Sequence, residues 1–295
     1  MRSNDGFAKY HPIVLFLYFA ILLGFSMFCM HPAVLLFSLG GSICYYGQLK
    51  GRKNLSNLLK RVLPLLLITI VINPSFNHAG ATILCYLPSG NPLTLESIAY
   101  GIAAGLMLMD ILIWFACLHE VITSDKIMYL FGRVIPSLSL LLSMTLRFVP
   151  EFRKRFEQVK EAQEMMGRDV ANGPLFRRVR NAIGCFSIVV TWSLENAIDT
   201  ADSMKARGYG SGKRTAYTLY RLEERDKDMI LLLCCILLLL SSGGTNGKLF
   251  WRYFPDIRGK ITDPFTIFFL LTFWLLVFLP AIIHEKEERI WRSFK

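Results

Sequence analysis

This chain is short of charge. Of its 295 residues only 19% are Asp, Glu, Lys or Arg, while 53% are hydrophobic; soluble domains carry about 25% charged residues. Catalytic signatures are also missing. The seven cysteines contain no Cys-x-x-Cys pair and most lie inside apolar runs, so they form neither a zinc framework nor a disulfide scaffold. There is no H-E-x-x-H, no G-x-S-x-G and no paired cluster of histidine and carboxylate. The nearest approach to a phosphate loop is SGGTNGKLF at 242–250. It has Gly247-Lys248, but Ser242 stands where the first glycine belongs and Leu249 where a magnesium-binding hydroxyl belongs. The sequence therefore predicts no catalytic, cofactor-binding or metal-binding residues. The chain shows no ATP-driven motor of its own.

The apolar residues are gathered into runs, which points to a polytopic membrane protein rather than an oily soluble one. Spans are expected at 12–29, 32–46, from about 55 or 62 to 72, 98–118, 229–240 and 264–283. The first is read as a retained span, not a signal peptide, because no small-x-small cleavage site follows it. The segment 49–61 carries Lys50, Arg52, Lys53, Lys60 and Arg61 with no acid, and residues 73–97 have no Lys or Arg. Basic loops face the cytoplasm, so 49–61 is placed inside and 73–97 outside, with both termini cytoplasmic. The net charge of +11 is then the charge of inner loops, and no nucleic-acid partner is expected. One loop is discordant: 242–263 should lie outside, yet it holds Lys248, Arg252, Arg258 and Lys260. In the fourth span, Gly101 and Gly105 have the spacing that lets two helix backbones approach closely. Asp110 sits mid-span, where a charge costs about 2.5–3.5 kcal/mol on insertion scales. It is a possible intramembrane polar site: either a tie to a neighbouring helix or subunit, or the ion site of a stand-alone secondary transporter or channel.

Between spans four and five the character changes. The runs 134–146 and 183–192 are too short to cross a bilayer, and each continues into charged helical sequence. The expectation is an all-α membrane protein of about six transmembrane helices, with transmembrane parts at 1–118 and 229–295 and a cytoplasmic helical domain at 119–228. One helix of that domain runs through Phe148-Val149-Pro150 to Gly167, with Phe152, Phe156, Val159 and Gln163 as its apolar stripe. A second is placed from about Cys185 to Ala206 and stops at Gly208, with Glu195, Asp199 and Asp202 on one face. Glycine past a helix end suits a left-handed residue, and a terminal arginine complements the helix dipole, both common structural devices. Two such basic ends, in a chain without a motor, favour docking instead. Arg207 has the forked chemistry to seat in an acidic groove.

Three segments carry a family resemblance: FAKYHPIVLFLYF (7–19), SMTLRFVPEFRKRFEQVKEAQEMMG (143–167) and AIDTADSMKARGYG (197–210). They resemble the transmembrane T component, or coupling subunit, of energy-coupling factor (ECF) importers, a family with two Ala-Arg-Gly motifs at the ends of cytoplasmic coupling helices. Ala206-Arg207-Gly208 is the second motif, intact. The first reads Ala162-Gln163-Glu164-Met165-Met166-Gly167, with Met166 in place of the arginine and Arg168 displaced past it around the helix. The resemblance implies a non-catalytic scaffold in the cell (inner) membrane without cofactors. Its implied partners are two cytoplasmic ABC ATPases at the coupling-helix ends, a membrane S component that binds a vitamin or a metal ion such as cobalt or nickel, and the lipid bilayer.

Overall fold

The computed structural model describes residues 6–86, 92–134, 136–168, 170–171, 173–212, 220–247, 249, 251–259 and 263–293. Lys248 and Lys260 of the discordant loop lie outside the described residues. Among those described, the chain forms helices α1 (Pro12–Phe28), α2 (Pro32–Lys50), α3 (Arg52–Phe76), α4 (Leu95–Val121), α5 (Ser124–Val134), α6 (Pro136–Met165), α7 (Leu175–Ala206), α8 (Glu224–Thr245) and α9 (Pro264–Ser293). A small antiparallel hairpin, β1 (Ile83–Tyr86) with β2 (Pro92–Thr94), stands between α3 and α4. This is an all-α membrane protein with one short ribbon.

Local chemistry sets the boundaries. Proline occupies the first turn of both α1 and α2, where its missing N–H costs nothing. The histidine before each proline caps the helix: His11 Nδ1 accepts from Ile13 N–H at 3.2 Å and His31 Nδ1 from Ala33 N–H at 3.3 Å. Gly51, at φ 81°, separates α2 from α3. Thr94 Oγ1 caps α4 by accepting from Ser97 N–H at 3.3 Å, and Glu223 with Asp226 makes a reciprocal capping box on α8.

Four helices are long and apolar enough to cross a membrane: α3, α4, α8 and α9. The apolar α1 has 17 residues and α2 has 19, so these two are short for spans of about 20 residues. All six expected runs are helical; five extend further at their C-terminal ends, while the first stops one residue short, at Phe28. The third span is longer than expected and carries both Pro64 and Pro74 inside the helix. Leu63, Leu65, Leu67, Ile68, Val71 and Ile72 of α3 remain exposed. In a soluble protein such a patch is a liability; on a spanning helix it is a lipid-facing surface.

By its contacts the chain divides into two compact units, one of residues 1–127 with 220–295 and the other of residues 128–219. The core of the first lies among α1, α2, α4, α8 and α9 and is strongly aromatic. Trp114 of α4 is fully buried, with Tyr18 at 6.4 Å, Phe19 at 6.3 Å and Tyr45 at 6.3 Å between ring centroids. Gly101 and Gly105 do bring backbones together: a Cβ on either would stand 3.3 Å from a carbonyl oxygen of α3, that of Ile70 or Leu66. A segment just before α1 draws together parts distant in sequence. Phe7 is buried against Tyr18 at 5.0 Å, Lys9 pairs with Glu287 at 2.9 Å, and Lys126 Nζ donates to Ala8 O at 2.6 Å. His11 N–H donates to Asp226 Oδ1 at 3.2 Å. The two places where the chain leaves this unit and re-enters it are thus fastened to the same short stretch.

The second unit corrects one sequence expectation. The run 183–192 does not start its helix: α7 begins at Leu175, not near Cys185, after Pro174. The segment LFRRVRNA continues the same amphipathic period. Its arginines hide it from a search for apolar runs but are no obstacle to helix. Likewise the run 134–146 falls in the first half of α6, which passes through Pro150 without ending.

Candidate docking site

The two helices of the second unit pack on each other through one stripe apiece. On α6, Phe148 and Phe152 stack at 5.8 Å; on α7, Trp192 meets Phe152 edge-on at 6.2 Å. Arg155 lies over the Trp192 ring at 4.7 Å, a contact worth about 0.5–1 kcal/mol at an exposed site. Cys185 and Val189 bury behind Trp192, one turn apart on the same face. From Phe152 to the end of α6, and from Trp192 to the end of α7, is about 20 Å each, at 1.5 Å per residue. The shared contact holds the middle of each helix and leaves its C-terminal end uncovered within this unit.

Both ends close in the same way. Gly167 has φ 75° and Gly208 has φ 78°, the left-handed conformation that glycine adopts without Cβ strain. At the first end, Gly167 N–H donates to Glu164 O at 2.9 Å and Arg168 N–H to Gln163 O at 2.9 Å. At the second, Gly208 N–H donates to Lys205 O at 2.9 Å and Tyr209 N–H to Met204 O at 3.0 Å. These are two Schellman closures with identical connectivity. Residues at equal positions therefore correspond: Met166 with Arg207, Gly167 with Gly208, and Arg168 with Tyr209.

That correspondence corrects the expectation for Arg168. It lies beyond the left-handed glycine, not around the helix from Met166, so it takes the place of Tyr209 and not that of the arginine. The side chains of Ala162, Met166, Arg168, Ala206 and Arg207 are exposed, and Gln163 is half-buried. The second end continues into a tight turn, Ser211 Oγ donating to Gly208 O at 2.6 Å. After the first end, Arg178 Nε donates to Val170 O at 3.1 Å and so ties the connection to the first turns of α7. An ion pair between Lys205 and Asp202 at 3.6 Å is fully solvated and contributes about 0–1 kcal/mol.

Asp110 belongs to the first unit and is fully buried. Ser38 Oγ of α2 donates to its Oδ2 at 2.6 Å, and Trp114 Nε1 donates to Ser38 Oγ at 2.9 Å. Ser26 Oγ of α1 stands 3.2 Å from Ser38 Oγ. Since Ser38 spends its only proton on Asp110, Ser26 is the donor. One carboxylate thus gathers α1, α2 and α4, while its Oδ1 has no hydrogen-bond partner among the described residues. No group of three or more His, Cys, Asp or Glu with metal-binding geometry exists among the described residues.

A sequence profile described as cobalt transport protein (CbiQ) matches residues 10–218, which takes in both helix ends and the first four expected spans. The chain belongs to this family. Curated relatives agree. The energy-coupling factor transporter transmembrane protein of Brevibacillus brevis is 26% identical over 235 residues, covering 72% of this chain and 87% of its own. That of Listeria innocua is 29% identical over 182 residues, covering 57% of this chain and 66% of its own. That of Exiguobacterium sibiricum is 36% identical over 95 residues, 32% of this chain; the chain spans about a third of that relative's length, 36%. The match is to the membrane T component of energy-coupling factor transporters, a transporter subunit.

Proposed function

We propose that this chain is the non-catalytic coupling scaffold of an ECF-type importer in the cell membrane, with both termini in the cytoplasm. In this reading the ends of α6 and α7 engage two cytoplasmic ABC ATPases, and a membrane S component carrying a vitamin or a metal ion packs against the scaffold. ATP binding and hydrolysis in the partners would displace the helix ends, and the helices would pass that displacement to the S component.

The observation that carries the reading is the pair of identically closed, uncovered helix ends in a unit with its own packing, one bearing Arg207. Closure by backbone bonds leaves the side chains at the cap positions free for another protein. The candidate docking residues are Ala206, Arg207 and Gly208 at one end, with Ala162, Gln163, Met166, Gly167 and Arg168 at the other. Asp110 is assigned to holding α2 on α4 through Ser38, a static role that leaves the work to the partners. Affinity purification of the tagged chain from its own membranes in mild detergent tests the proposal. ABC ATPases should co-purify at about one copy per helix end. A chain recovered without any ATPase, yet driving ion-coupled flux alone in vesicles, would overturn it.

A further inference from the structure

The chain passes from the first unit to the second at 127–128 and returns at 219–220. On the first unit's side of each passage stands a buried charge. Lys126, in the first turn of α5, donates from Nζ to Ala8 O at 2.6 Å and to Val121 O at 2.9 Å. Asp226, in the first turn of α8, accepts from His11 N–H at 3.2 Å on one oxygen and from Glu223 N–H at 3.0 Å on the other. Ala8 and His11 belong to one strap, residues 6–11. The strap is itself firmly seated. Phe7 is fully buried, Lys9 pairs with Glu287 of α9, and the Tyr10 ring lies under Arg225 at 5.0 Å. A Cβ on Gly6 would collide with the Glu287 side chain. Burial first, and then the Asp125 carboxylate, push the Tyr220 phenol up from its ordinary value, so residues beside the two passages lie within electrostatic reach. Apolar contact alone is non-directional and lets a segment slide. Burying a charge is costly unless it is hydrogen-bonded, and a bonded one holds particular backbone atoms in place.

We infer that residues 6–11 are a fixed anchor for both passages, and that Lys126 and Asp226 are positioning residues for coupling. The inference rests on the docking reading above and adds where a displacement of the coupling helices enters the membrane helices. Helix α5 starts at the anchor and continues past the boundary at 127. A displacement arriving along it meets a helix start held by Lys126, not a slack connection. From the strap it passes to α1 through His11, to α8 through Asp226 and to α9 through Lys9 and Glu287. Without the anchor, the passages would absorb the displacement by opening locally, as weakly packed segments do.

The test uses the tagged full chain purified with its ATPases, with MgATP as the probe and amide exchange as the readout. In the wild-type complex, His11 and Glu223 should exchange slowly and equally with and without MgATP, while exchange in α1, α8 and α9 shifts when it is added. Faster exchange at His11 and Glu223 in MgATP, or no shift in the three helices, would overturn the inference without any variant. Lys126→Met removes both donated bonds. Asp226→Asn keeps the volume and one acceptor oxygen, but turns an NH2 group toward the other N–H. Each variant should keep its ATPases and their hydrolysis of ATP. The MgATP-dependent shift in α1, α8 and α9 should shrink about three- to tenfold, the scale on which mutations change coupling between distant sites. Ser38→Ala, which cuts a buried tie of the same unit outside the strap, should keep the full shift. A full shift in both strap variants, or an equal loss in Ser38→Ala, would overturn the inference and leave the docking reading intact. A wild-type chain that brings down no ATPase overturns both.

Discussion

Arg207→Glu is expected to remove the ATPase from the second helix end and to abolish ATP-driven uptake. The side chain stands at the cap position of α7, exposed, beside a glycine whose N–H is already committed to Lys205 O. It contributes little to the fold of the chain, so reversing its charge leaves the isolated protein intact. In the proposed complex the guanidinium would be the group desolvated on docking. Breaking a buried, hydrogen-bonded charge pair costs about 2–5 kcal/mol, and a carboxylate opposite carboxylates adds repulsion. Affinity should fall by roughly thirtyfold or more, at about 1.4 kcal/mol per tenfold. Recovery of ATPase from detergent extracts measures this, with uptake into vesicles as the second readout. Arg168→Glu, past the left-handed glycine and at the position of Tyr209, should be the milder change, with recovery falling less than for Arg207→Glu.

The second large effect comes from Gly208→Val, which alters no charge. At φ 78° a side chain with a branched Cβ pays about 1–2 kcal/mol for the left-handed conformation, and a Cβ here would already stand 3.3 Å from Ser211 Oγ. The cheaper response is to give up the closure. Both bonds that define it, from Gly208 N–H and Tyr209 N–H, would open, the last turn of α7 would fray, and Arg207 would lose its fixed direction. Amide exchange at 208 and 209 should accelerate at least several-fold, while exchange within the helices of the first unit stays unchanged. ATPase recovery should fall with it, less than for Arg207→Glu, because the charge is still there to find its groove. Protected amides at 208 and 209 in the variant would show that the closure does not depend on glycine.

Much of this was legible in the chain. Gly167 and Gly208 follow amphipathic helices, and glycine at that point already implies the left-handed closure that both adopt. Gly101 and Gly105 likewise announced a close backbone neighbour for α4, which the structure shows to be α3. The stripe of Phe152, Phe156, Val159 and Gln163 is the partly buried face of α6. The apolar runs located the helices but not their ends, because capping chemistry extends them: Thr94 starts α4 ahead of the run, and Glu223 with Asp226 starts α8 within charged sequence. The start of α7 was hidden by the three arginines after Phe176, which break the apolar run without breaking the helical period. The hairpin of β1 and β2 was not visible, since four exposed residues and three others, two partly buried and one buried, carry too little alternation to read. Nor could sequence spacing reveal that Ser38, 72 residues away, holds Asp110. Most consequentially, the sequence placed Arg168 around the helix from Met166; the hydrogen bonds through Gly167 put it beyond the left-handed glycine, two residues past the arginine's position and in the place of Tyr209.

The measurement that bears most directly on the coupling role is site-specific photo-crosslinking from position 207 in native membranes. With a photoreactive residue in place of Arg207, and another in place of Met166, irradiation should give adducts with the mass of this chain plus one ABC ATPase at each position. Adducts at both positions confined to lipid or to a second copy of this chain, with no ATPase in either, would contradict the account.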